Sequence, residues 1–150
     1  MTTARDIMHE GAQCIREDQN LQEAARMMRD LDVGSLPICG NDNRLKGMIT
    51  DRDIVVRCCA EGRDLTTTRA GELAQGTPYW VDADADIREV LQVMEQHQVR
   101  RMPVIENHQL VGIISESDLA RNLSDEQLAE FVQRIYAEAG GHVTTGGNIR

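Results

Sequence analysis

Aromatic residues are scarce in this chain, with one Trp, one Phe and two Tyr among 150 residues. A surface that reads nucleic acid by stacking bases on rings is therefore excluded, and any core must be aliphatic, built from Leu, Ile, Val, Ala and the seven Met. Positive charge is also short. Sixteen Lys and Arg stand against 25 Asp and Glu, a formal net charge of −9, whereas binding a polyanion by counterion release needs clustered cations. No nucleic-acid partner is expected, and an anionic ligand would have to be held locally.

No stretch reaches the roughly 18 consecutive apolar residues of a membrane span. The opening MTTARDIMHEGAQ lacks the charged start and apolar run of a signal peptide. No membrane insertion is expected and the default address is the cytoplasm, with export lacking a signal peptide left open. The cysteines, Cys14, Cys39, Cys58 and Cys59, show no CxxC spacing and so match neither a zinc finger nor a disulfide framework. His9, His97, His108 and His142 form no HxH or HExxH pattern. With no nucleophile, base and orienting group in view, nothing supports catalysis.

What the chain does have is repetition. GMITDRDI begins at Gly47 and its near copy GIISESDL at Gly112. The match extends upstream through every element: QCI pairs with YWV, QNLQEAARMMRDL with ADIREVLQVMEQH, SLPIC with RMPVI, and LKGMIT with LVGIIS. Apolar positions at helical spacing (Leu21, Ala24, Ala25, Met28, Leu31) predict an amphipathic helix, and Asn20 with Glu23, like Asp86 with Glu89, reads as a capping box at its start. Pro37 and Pro103 are 66 apart while Asp53 and Asp118 are 65 apart, so the length change lies in a hairpin, where an indel disturbs packing least. Each unit reads as strand, helix, strand, hairpin, strand, helix. A strand-helix-strand crossover sets its first two strands parallel. Apolar sheet surface left bare by helices on one face would be buried by the other unit.

In these strands (VGSLPI, VRRMPVI), hairpin-to-helix corners (GMITDRDI, GIISESDL) and paired helices, the chain resembles a CBS-domain pair, or Bateman module, of the stand-alone two-repeat type. The resemblance covers about Ala4 to Arg121. It implies an α/β (α+β) fold of two tandem repeats, each a three-stranded sheet with two helices, related by a pseudo-two-fold axis. The expected boundaries are repeat one at 4–62, a linker at 63–67, repeat two at 68–122, and a C-terminal helix with its tail at 123–150.

The corners are the candidate site. Thr50 with Asp53, and Ser115 with Asp118, stand where a strand passes into a helix. A hydroxyl beside a helix start suits a phosphate, and a carboxylate one turn on can accept both hydroxyls of a ribose. The same pattern is equally that of a helix cap with no ligand at all. The resemblance implies AMP, ADP, ATP or S-adenosylmethionine as ligand in the cleft between the repeats, with no cofactor required. Arg100 and Arg101 have Gly34 and Ser35 as counterparts, so the two sites are not equivalent, and the pocket drawing on Arg100, Arg101, Ser115 and Asp118 is favoured. Tyr79 and Trp80, in the first strand of repeat two, are bulky enough to fill an adenine slot.

The crossover sets Cys14 beside Cys39, so the two are either a disulfide or a pair of buried thiols. Cys58 and Cys59 read as packing residues. His97 and His108 with a nearby carboxylate make a weak transition-metal candidate, solvent-exposed histidines being the alternative. After the repeats, Ser124 and Gln127 begin a helix whose Leu128, Phe131, Val132, Ile135 and Tyr136 form one apolar stripe, expected to embrace a second subunit in a homodimer. The reading is a regulatory or stress-adaptation module that senses an adenine nucleotide and signals to an unidentified protein effector. Its alternatives are an interaction or structural protein without nucleotide, reinforced by Cys14–Cys39, and thiol redox work.

Overall fold

The computed structural model describes residues 1–74 and 79–137. Its contacts group into two compact units. The first-repeat unit takes Gly11–Pro78 and Glu106–Val111; the second-repeat unit takes Met1–Glu10, Tyr79–Ile105 and the chain from Gly112. The first ten residues thus belong with the second repeat, as helix α1 (Ala4–Ile7) and strand β1 (His9–Glu10).

In the first-repeat unit, β2 (Ile15–Arg16), α2 (Leu21–Leu31), β3 (Ser35–Cys39) and β4 (Leu45–Thr50) follow the expected order, and the sheet runs β2-β3-β4 with β2 parallel and β4 antiparallel to β3. The register shifts between Ile38 and Cys39, beside the longer first-repeat hairpin. Helix α2 buries Leu21, Ala24 and Met28 on one face and ends at Asp32, which turns left-handed at φ 55°. Helix α3 (Asp51–Ile54) continues as a π-helical stretch, Val55–Cys59, and a 3-10 turn follows at Ala70–Leu73. Ile15, Leu21, Ile38, Ile49 and Leu73 are among the side chains forming its core.

The second-repeat unit contains β5 (Val81–Asp82), α4 (Ile87–His97), β6 (Arg101–Glu106), β7 (Gln109–Ser115), α5 (Glu116–Asn122) and α6 (Asp125–Ile135). Its sheet, β1-β7-β6-β5, has the three expected strands plus β1 added antiparallel to β7. Three expectations need correction. Tyr79 and Trp80 precede β5 and are 47% and 50% exposed, so neither ring is a buried plug. The boxes at α2 and α4 are half formed: Asn20 accepts from the Glu23 amide and Asp86 from the Arg88 amide, but neither glutamate returns a bond among the described residues. The backbones of Asn20 and Asp86 are instead bridged to Arg69 and Thr3. On α6, whose Ser124–Gln127 box is complete, Phe131 and Ile135 are buried within the chain while Val132 and Tyr136 stay exposed. Arg134 pairs with Glu95 of α4 at 3.5 Å, so the inner part of the stripe is used at home. Burial lifts the Glu95 carboxyl above its usual range, and the Arg134 charge opposes that shift.

Each repeat is completed by the segment that precedes the other repeat. In the second-repeat unit the amides of Ala4 and Arg5 donate to the carbonyls of Ala85 and Ala83, and Ile87 donates to Thr2. In the first-repeat unit Ala70 and Gly71 donate to Gln19 and Glu17, and Leu21 donates to Thr68. All three bonds recur at an offset of 66 residues, so the lead-ins are part of the duplication. Ile7 and Leu73 are both nearly fully buried, and each burial contributes about 2 kcal/mol.

The docked lead-in leaves no room at Gly112, where an added Cβ would lie 2.7 Å from the His9 carbonyl oxygen. Gly112→Ala should push β1 off the edge of β7, lowering stability by about 1–3 kcal/mol in a denaturant titration.

Candidate functional site at the repeated corners

In the first corner, β4 passes into α3 through a reciprocal cap. The Asp53 amide donates to Thr50 Oγ1 and the Thr50 amide to Asp53 Oδ2, both at 3.0 Å. The other leading amides are also taken, Asp51 N by the Gly34 carbonyl at 3.0 Å and Arg52 N by Asp51 Oδ1 at 2.8 Å. A phosphate at this helix start would meet no free amide among these three. Asp53 is only half-buried, and its Oδ1 accepts nothing among the described residues, which leaves one carboxylate oxygen able to receive hydroxyls.

The second corner has the same backbone course and a different electrostatic state. Asp118 is 3% exposed. Its Oδ2 accepts from both the amide and the hydroxyl of Ser115, each at 2.9 Å. Its Oδ1 faces Arg121 Nη2 at 3.0 Å and His9 Nδ1 at 2.5 Å. A buried carboxylate must be satisfied in this way, and here the acceptor capacity is spent within the chain. Arg100 is turned away: its Nη1 donates to the Tyr136 hydroxyl at 3.1 Å, the guanidinium carbon lies 5.9 Å from that ring, and this bond raises the Arg100 pKa above its ordinary value. Arg101 is exposed at the first position of β6. Ser115 and Asp118 are thus together, with Arg100 committed elsewhere, and the open oxygen lies in the first corner.

Cys14 and Cys39 form a disulfide, their Cα atoms 5.7 Å apart. Pairing of Ile15 with Ile38 and of Arg16 with Cys39 in parallel strands carries the two cysteines to neighbouring positions. Cys58 is buried and Cys59 exposed, both as free thiols. His97 stacks on Tyr79 with ring centroids 3.7 Å apart, while His108 stands at a hairpin position grouped with the first-repeat unit. No three His, Cys, Asp or Glu side chains come together to hold a metal among the described residues. His9 was missed as a site residue. The signal lay in the lead-in: Ala4 and Ile7 match Ala70 and Leu73 at the same 66-residue offset, and His9 follows on that strand.

A family model for the CBS domain matches residues 4–58 and 70–125. The chain belongs to the CBS-domain family. Proteins of this family are in general regulatory rather than catalytic. The pair is 56% identical over 135 residues to hypoxic response protein 1 of Mycobacterium tuberculosis, covering 90% of this chain and 94% of that one. A crystal structure of Hypoxic Response Protein I with two coordinated zinc ions superposes with a TM-score of 0.76 at 58% identity, covering 82% of this chain and all of that one. A hexameric CBS-CP12 protein from bloom-forming cyanobacteria superposes with a TM-score of 0.71 at 26% identity, covering 95% of this chain and 90% of its own. Among the described residues no helix is long and apolar enough to cross a membrane.

The unequal corners should differ in what their aspartates contribute to stability. Asp118→Ala strands several donors around a buried site and should cost about 2–4 kcal/mol in urea unfolding, against about 1 kcal/mol for Asp53→Ala, which removes half a cap. Opening the Cys14–Cys39 bridge, which spans 25 residues, should lower stability by about 2–4 kcal/mol. Paired melts with and without reductant, on the wild type and on Cys14→Ser/Cys39→Ser, would measure it.

Proposed function

We propose that this CBS pair is a stand-alone regulatory module, of stress-adaptation type, that binds an adenine nucleotide or nucleoside through its ribose at the Thr50–Asp53 corner and signals to a separate protein. The observation carrying the assignment is the open Asp53 Oδ1 beside a half-buried cap, against an Asp118 whose oxygens are already engaged. The ligand acts by favouring one conformation of the protein over another. Because the leading amides of α3 are consumed locally, the diol rather than the phosphate supplies the recognition. The module works as a homodimer. Val132 and Tyr136, with Val55 and Val56, are the exposed apolar side chains that support this reading, and the CBS-CP12 neighbour is described as hexameric.

Hypoxic Response Protein I was crystallised with two coordinated zinc ions. His97 is engaged with Tyr79, and the donor groups among the described residues fall short of the four-ligand tetrahedron that structural zinc takes. A second reading, an interaction module reinforced by its disulfide and binding no nucleotide, is favoured by the self-satisfied state of both caps.

Isothermal titration separates the two readings. Adenosine, AMP, ATP and S-adenosylmethionine should bind within a few-fold of one another, since the phosphates add little, and Asp53→Asn should abolish binding while Asp118→Asn spares it. Light scattering on the same samples reads the oligomeric state. Absence of heat with all four ligands on folded protein selects the interaction module.

A further inference from the structure

Strand β1 has two residues and both are exposed. Upstream it is anchored by the buried Ala4 and Ile7; downstream the chain turns at Gly11, φ 69°, and departs for the other unit. Its pairing to β7 is confined to His9 with Ile113 and Glu10 with Gly112. So short an edge strand is marginal by itself. The side-chain tie that reinforces it is His9 Nδ1 on Asp118 Oδ1, at 2.5 Å.

The two partners differ in access to water. Asp118 has a side chain 4% exposed, whereas His9 is 63% exposed and meets solvent protons freely. We propose that His9 is a proton-operated latch that docks strand β1 onto the edge of β7 through the buried Asp118 carboxylate. A charged imidazole forms an ion pair with that carboxylate; a neutral one brings no charge to it. Arg121, on the same oxygen at 3.0 Å, keeps Asp118 paired when His9 is neutral, so the latch loosens without unfolding the corner.

The other charged groups on the elements around the ring do not substitute for it. Glu10 neighbours it on β1. On α1, Arg5 pairs with Asp84 at 3.3 Å and Asp6 accepts from the Thr3 amide and hydroxyl. On β7, Gly112 and Ile113 bring no charge. On α5, Glu116 lies within reach of the Tyr136 hydroxyl at 3.4 Å. The docked state is therefore held more firmly by the charged imidazole than by the neutral one. Release uncovers the backbone edge of β7 at Gly112 and Ile113. The inference rests on the second-repeat unit alone and is independent of the nucleotide reading.

Amide hydrogen exchange on the full chain, at about pH 5.5 and about pH 8 and corrected for the intrinsic rate, tests it in the range where histidine changes charge. Protection at residues 9, 10, 112 and 113 should be about three-fold higher at the lower pH in the wild type, the size expected of a partly exposed ion pair. His9→Gln should abolish that difference while the protection of Ala4 and Ile7 stays as in the wild type. An equal pH response in His9→Gln, or none in the wild type, overturns the latch.

Discussion

The exchange of lead-ins is the constraint on which the rest of the structure depends. Where β2 meets α2, and where β5 meets α4, the chain presents backbone carbonyls that no element of the same repeat satisfies, and unpaired backbone groups at buried positions are costly. The segment preceding the other repeat supplies the missing partners: Ala70 and Gly71 for Gln19 and Glu17, Ala4 and Arg5 for Ala85 and Ala83. The same segments carry Leu73 and Ile7 into the cores. Neither repeat is therefore complete in the stretch of sequence that names it.

Duplication preserves the backbone more strictly than the chemistry placed on it. The cap pairing hydroxyl residue with aspartate recurs at 50 and 53 and at 115 and 118, yet one aspartate keeps an open oxygen at a half-buried surface and the other is nearly sealed by Ser115, Arg121 and His9. What separates them is supplied from outside the motif. His9 arrives on an edge strand from the opposite end of the chain, and Arg121 comes from the following turn of α5. Tyr136 of the C-terminal segment meanwhile draws Arg100 away from the corner it was expected to serve.

The duplicated elements, the strand order within each repeat and the capped start of α6 follow from local pattern, and they were legible because period, caps and turns act over a few residues. The proximity of Cys14 and Cys39 was legible for the same reason, as a crossover sets its two strands side by side. The half-formed boxes at Asn20 and Asp86 were not, because their backbones are claimed by Arg69 and Thr3 far along the chain.

The amino-acid sequence by itself determined the repeat, the aliphatic core, the acidic surface and the two corners with their side chains in place. Tertiary structure alone decided that the chain's first ten residues belong to the second repeat, that β1 extends its sheet, and which aspartate remains open. The physical reason is range. Hydrophobic period and capping are written into neighbouring residues, while the electrostatic state of a buried carboxylate depends on whichever donors the fold brings from elsewhere, and His9 reaches Asp118 across 109 positions of sequence.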